Sequence, residues 1–444
     1  MIQAPVTKPF SFVSEAVSSL ECKLTKTQQA TLAIPLSSLF LLGSLTLTTI
    51  AAGWLMTFTV NRLSHFLKYS PLSATGVLLA AIKWGLAYMG MQHATCRLII
   101  DDTMEHHSKG CRTIANVYWL FDHVIGSCIN ARCIVFAYIV INECVRFPIG
   151  WRIYKREGKN KWQLAVELVD EAIQLGISID VVMFDSWFCV SGMISALVKR
   201  KLLFIADLKS NHTVEFLVQD TSRKIKLNIN DVFKYASHLG IPANLGLVSR
   251  EDKITIQVLY ETMTMTLFIP AFNRKLRCVR SIDKRTSGQK ILVTNALSWG
   301  AAKIISTYSQ RWLIEEFFKN VKGFFGFEKA CIRSEQAGAL TLMLVSFADL
   351  LLSIQLWKNV HEGSEKKLLT VSAIIAQAES ENIGNLLEAL DKDTEGFREI
   401  MLSWLKMIEK HRTKERKARK ILTETYQEST QGSLDETEAR DIAA

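Results

Sequence analysis

CRLIIDDT, residues 96–103, is the stretch that decides how this chain folds. Leu98, Ile99 and Ile100 make a short apolar run without polar alternation, and it stops at Asp101, Asp102 and Thr103. Such a run reads as a strand buried on both faces that ends in acids. Residues 177–184 repeat the pattern, because Val181, Val182, Met183 and Phe184 lead straight into Asp185. Between the two runs, residues 133–142 and 151–154 supply further strands. Residues 163–175 supply a helix, with Leu164, Val166, Leu168, Ile173 and Leu175 set among acids. Strand, strand, strand, helix, strand is an α/β order.

Working outward, residues 27–91 are helical in pattern, with apolar runs broken at Gly43, Gly53 and the turn at Ser70 and Pro71. No turn signature there marks a helix-turn-helix, so packing and DNA contact are equal readings of that module. Residues 203–294 turn β-rich, with strands expected at 225–229, 253–259, 263–269 and 290–294. We read them as an insertion. Ser298 then caps one helix running to Lys322, where Gly323 and Gly326 end it, and Ser334 opens a second helix to Trp357. Residues 371–390 and 397–426 are helical in pattern, and the latter carries Lys406, Lys410, Arg412, Lys414, Arg416, Lys417, Arg419 and Lys420. The expected units are therefore a helical region (1–95), a first core part (96–202), a β-rich insertion (203–297), a second core part (298–360) and a helical C-terminal region with an acidic tail (361–444).

The whole chain of 444 residues has 49% hydrophobic and 22% charged residues, a globular composition, and a net charge of +10. Residues 421–444 hold six acids against Arg440, which leaves +15 on the remainder. That excess suits a polyanionic partner. Nine cysteines without a Cys-x-x-Cys pair read as reduced thiols of a cytosolic protein. His93, Cys96, His106, His107 and Cys111 have the wrong spacing for a zinc finger. Residues 28–61 lack a charged side chain, but Pro35, Gly43 and the eight Ser or Thr from Ser37 to Thr59 interrupt the run, so a buried helical module is expected rather than a membrane anchor.

Tyr308, Arg311, Glu315 and Lys322 recur at offsets of 3, 4 and 7. On one continuous helix they fall within roughly 60° of one another. A phenol, two cations and a carboxylate on one stripe suit an anionic, metal-bearing ligand. The alternative is a solvated face with a chance Arg311–Glu315 pair. Magnesium takes a few carboxylate oxygens and leaves positions for phosphate oxygens. Asp102 and Asp185 come directly after apolar strands, where α/β sheets bind ligands, and Glu315 completes a two-metal set.

With those acids and that stripe in view, the chain resembles the DDE transposases of bacterial insertion sequences. It is most similar to the insertion-sequence-four superfamily, whose Tyr-Arg-Glu-Lys motif reads YSQRWLIEEFFKNVK over residues 308–322. LIIDDT, VVMFDSWF and ADLKSN (206–211) also look like that family's segments. The resemblance covers about residues 99–334. It implies an RNase H-like catalytic core, a mixed sheet with flanking helices interrupted by the β-rich insertion. It also implies that Asp102, Asp185 and Glu315 bind two magnesium (or manganese) ions, and that Tyr308, Arg311 and Lys322 hold DNA. Of the adjacent pair, Asp102 is preferred to Asp101 as the first ligand.

The expected activity is cleavage and strand transfer of double-stranded DNA at terminal inverted repeats, by a homodimer in a synaptic complex, in the bacterial cytoplasm at the nucleoid. Family members that stack a tryptophan on an unstacked base place it in the insertion. Residues 290–293 lack one, which leaves Trp187, Phe188 and Trp299 as substitutes with core packing as their alternative role. Competing functions are an RNase H-like nuclease without strand transfer and a non-catalytic DNA-binding relative.

Overall fold

The computed structural model describes residues 4–22, 24–55, 59–108, 114–122, 125–217, 224–251, 255–327, 333–363 and 370–406. Cys111, Cys331, the basic residues from Lys410 to Lys420 and the acidic tail lie outside them. Five helices come first: α1 (Ser11–Ser18), α2 (Lys26–Leu42), α3 (Leu47–Gly53), α4 (Val60–Tyr69) and α5 (Ala74–Tyr88). The core comes next as β1 (Thr95–His106), β2 (Tyr118–Asp122), β3 (Ser127–Val140), β4 (Arg146–Ile153), α6 (Lys161–Gln174), β5 (Ser178–Phe184), α7 (Ser191–Lys199) and β6 (Leu203–Asp207). After it come β7 (Thr213–Leu217), β8 (Lys224–Asn228), α8 (Ile229–Tyr235), β9 (Asn244–Glu251), β10 (Thr255–Ile269), β11 (Arg274–Asp283) and β12 (Gln289–Thr294). The chain then returns to helices α9 (Ala301–Ser309), α10 (Trp312–Gly323), α11 (Glu335–His361) and α12 (Val371–Lys392).

All twelve strands belong to one mixed sheet. At one end of it β3 lies antiparallel between β4 and β1, while β5 and β6 continue parallel to β1. Three antiparallel strands, a helix and two parallel strands make an α/β fold consistent with an RNase H-like core. The apolar runs explain it: Leu98, Ile99, Ile100 and Val181 to Phe184 are all fully buried, so both sheet faces must be covered. β1 continues past its acids to His106, because its antiparallel partner β3 goes on pairing after β5 has ended. The acids thus sit where the parallel part of the sheet stops.

β10 is one strand of 15 residues where the sequence suggested two, since nothing between residues 259 and 263 breaks the backbone. β7, β9 and β11 were not expected. β11 pairs with β10 and β12, and its Arg and Lys side chains fall on both faces of the strand, so its sequence, RKLRCVRSID, carries no clean alternation.

One apolar core runs from Val6 to Ala378, so the N-terminal helices are joined to the sheet through α11. The serines that interrupt the uncharged stretch serve as internal partners: Ser37 accepts from the Phe10 amide at 3.2 Å and Ser38 from the Trp54 indole at 2.9 Å. Among the described residues α11 is long and apolar enough by itself to cross a membrane, with 89% of its apolar window buried inside the protein, while α2 with α3 and α4 with α5 reach that length only as pairs bent by 86° and 92°. The bend between α2 and α3 is made at Gly43, in the left-handed region with φ of 52°. Any Cβ there would meet the Phe324 carbonyl oxygen at 2.8 Å.

Asp349 is buried on α11 against the Tyr138 hydroxyl, which donates to it at 3.4 Å. Burial pushes its carboxyl up to about 7, opposed by Arg146 and by the Tyr138 hydrogen bond. Between about pH 4 and pH 7 the folded protein therefore keeps a proton that the unfolded chain has released, and the stability this confers is lost as pH rises through that window. Denaturant stability should fall from about pH 4 to about pH 7. Asp349→Asn should flatten that fall; identical pH slopes in the two proteins would remove Asp349 as its cause.

Candidate active site

The acids of β1 point to opposite faces of the sheet, as successive strand residues must. Asp101 is paired across β3 with Phe136, and Phe136 packs on Phe317 of α10 at 5.2 Å. Asp101 therefore faces α10. Asp102 faces α6, where the Lys161 ammonium donates to it at 2.9 Å and the Cys133 thiol at 3.2 Å. Ile100 is in register with Phe184 and Phe184 with Ala206, so Asp101, Asp185 and Asp207 stand side by side across β1, β5 and β6.

The helix carrying the polar stripe is not continuous. Between α9 and α10 the amides of Gln310, Arg311 and Leu313 bond three residues back rather than four, a tightened turn that re-aims α10 relative to α9. Tyr308 consequently ends up 6% exposed, its hydroxyl 3.5 Å from the Phe184 carbonyl. Arg311 sits at the turn and donates to Asp101 at 2.7 Å and also to Glu315. Lys322 donates to the Met104 carbonyl at 2.7 Å, which ties the end of α10 to the outer half of β1. The structure thus gathers Tyr308, Arg311, Glu315 and Asp101, puts Asp185 beside them, and gives Lys322 and Asp102 other partners.

The electrostatics of the site arise from burial. Burial pushes Asp101 up to about 8; Arg311 opposes this, and the charges of Asp185 and Asp102 add to it. Asp185 is raised by burial and then by Asp102, against Arg311 and the amides of Phe188 and Trp187, the latter donating at 3.0 Å. Asp102 therefore lies within electrostatic reach of Asp185, but only Asp101 shares a cation with Glu315. Arg311 is raised although burial alone would lower it, because Tyr308, Asp101 and Glu315 surround it.

Asp207, raised by burial, and Lys290, 3.9 Å away and lowered by burial, were missed in the sequence. The signal was available for the first: LFIAD is a third apolar strand ending in an acid. Lys290 joins Arg250, Tyr260, Tyr308, Arg311 and Trp312 around a cavity of about 210 Å³ between the β-rich segment and the α9–α10 turn. Phe188 is core at 1% exposed, whereas Trp187 is 45% exposed with the ammoniums of Lys209 and Lys161 at 4.6 and 5.3 Å from its ring. Lys303 lies 3.8 Å from the ring of Trp299.

Among the described residues no three His, Cys, Asp or Glu side chains stand close enough to enclose an ion. Arg311 occupies the position between Asp101 and Glu315. The donor chemistry nonetheless fits a hard divalent cation, since every candidate ligand is a carboxylate oxygen.

A partly buried row of carboxylates therefore stands at the ends of the parallel strands, opposed by Glu315 of α10 and by Arg311 at the turn before it. Two families match parts of the chain: DDE superfamily endonuclease over residues 19–224 and transposase DDE domain over residues 134–351. Together they support a DDE-type nuclease or transposase, and such families use divalent metal ions. No curated protein matches the sequence. Among solved structures, a piggyBac transposase synaptic complex with hairpin DNA, determined by cryo-EM, aligns with 86% of this chain and 82% of its own at 12% identity and a TM-score of 0.44.

Proposed function

We propose that this chain is the transposase of an insertion sequence, of the insertion-sequence-four type with a Tyr-Arg-Glu-Lys motif at Tyr308, Arg311, Glu315 and Lys322. It binds the element's terminal inverted repeats, cleaves there and transfers the freed 3′-hydroxyl into target DNA, acting as a homodimer in the bacterial cytoplasm. The single observation that carries this reading is the Arg311 guanidinium joining Asp101 to Glu315 beside Asp185. A strand acid and a helix acid far apart in sequence have no structural need to share one buried cation.

Asp101, Asp185 and Glu315 are the residues that would hold two divalent ions, with Asp101 taking the place expected for Asp102. Bound there, such ions activate the attacking oxygen and neutralise charge on the leaving one. Asp102 acts through Lys161, whose ammonium it fixes at the same end of the sheet. Arg311 offers a fork to a phosphate, with Lys290 and Arg250 along the neighbouring cavity wall. Tyr308 supports Arg311 from beneath, its ring 6.0 Å from the guanidinium.

The test is incubation of purified protein with magnesium, a supercoiled plasmid and precut duplexes from the DNA flanking the reading frame. A transposase yields duplexes covalently joined to plasmid. Cutting without joining supports the plain nuclease, and binding without either supports the non-catalytic relative.

A further inference from the structure

Three of the carboxylates at this end of the sheet already carry protein cations. Arg311 is bonded to Asp101 and Glu315, and Lys161 to Asp102. The pairs are shielded: side-chain exposures are 12% and 13% for Arg311 and Asp101, and 17% and 14% for Lys161 and Asp102. Charges so placed attract and repel far more strongly than in water. A divalent ion seated on Asp101 and Glu315 would therefore expel the guanidinium lying between them, and its field would loosen the ammonium one residue along β1.

We propose that Arg311 and Lys161 are internal counter-ions which a divalent metal displaces, and that the displaced side chains become phosphate contacts, so that metal loading and DNA binding strengthen each other. The proposal rests on the transposase reading above. It also gives a role to Lys161, which the motif does not include. Both cations have somewhere to go. Arg311 lines the cavity that also holds Lys290, Arg250 and Trp312. Lys161 lies 5.3 Å from the exposed ring of Trp187, whose amide is bonded to Asp185, so a short rotation keeps the ammonium beside the site. Such coupling is reciprocal: whatever factor the metal adds to DNA affinity, DNA adds to metal affinity.

The probe is a fluorescein-labelled duplex from the DNA flanking the reading frame, titrated by anisotropy in EDTA and in calcium at matched ionic strength. Calcium should tighten wild-type binding about tenfold, within the usual span of coupled sites. Glu315→Gln, whose side chain is 31% exposed, removes one of the two anchors without emptying the core. It should bind more tightly than wild type in EDTA and respond less to calcium. Arg311→Met should lose most of the calcium response, and Lys161→Met part of it. Equal wild-type affinity with and without calcium overturns the proposal, as does an Arg311→Met protein that responds as wild type does, because simple charge neutralisation then accounts for the effect. Absence of DNA binding under every condition overturns the transposase reading along with it.

Discussion

Asp101→Asn is expected to lower metal-dependent DNA cleavage by at least about a thousandfold, because it removes a ligand charge where the reaction concentrates negative charge. Asp102→Asn is expected to cost only about 10- to 100-fold, the usual penalty for a group that acts by orienting another. The contrast comes from strand geometry: adjacent residues cannot both face α10, and Asp101 is the one bonded to Arg311, while Asp102 is bonded to Lys161. Cleavage rates of the two purified variants on one labelled duplex decide the matter. The reverse order, with Asp102→Asn inert and Asp101→Asn active, would restore Asp102 as the ligand and assign Asp101 to structure.

Arg132→Met should be the most damaging single change to stability away from the acids. Arg132 of β3 and Glu105 of β1 are cross-strand partners, 2% and 1% exposed, joined by a guanidinium–carboxylate contact whose Nε–Oε2 distance is 2.7 Å. Removing one partner strands a charge in the interior, which costs about 3–5 kcal/mol. The companion change Glu105→Leu in the same protein should recover much of that loss, as coupled neighbours do. Denaturant midpoints of the two single variants and the double variant measure it. Activity should fall with stability, since Met104, whose carbonyl receives Lys322, lies next to Glu105 on the same strand. Simply additive losses would mean that the pair is not coupled.

The α/β order was legible because both strands that end in the acids are short, unbroken apolar runs closed by carboxylates, as strands covered on both faces are. The contact between Arg311 and Glu315 was legible from their spacing of four. Tyr308 and Lys322 were expected on the same stripe, an expectation that assumed a continuous helix. The turn of tighter hydrogen bonding at Gln310 and Arg311 has no glycine or proline to announce it. The choice between Asp101 and Asp102 was illegible for a different reason: in a strand, which face a residue takes is fixed by the register with its neighbours, and register is a property of the sheet. Lys161 and Lys290 escaped because each acts across more than fifty residues of chain, on acids that the local sequence does not contain.

The central claim is that Asp101, Asp185 and Glu315 form one divalent-metal site. Anomalous diffraction from crystals grown with manganese tests it most directly. The account predicts anomalous density bridging Asp101 and Asp185, reached by Glu315, with the Arg311 guanidinium withdrawn from both of its carboxylates. Density seated on Asp102 with Arg311 still bonded to Asp101 would contradict it.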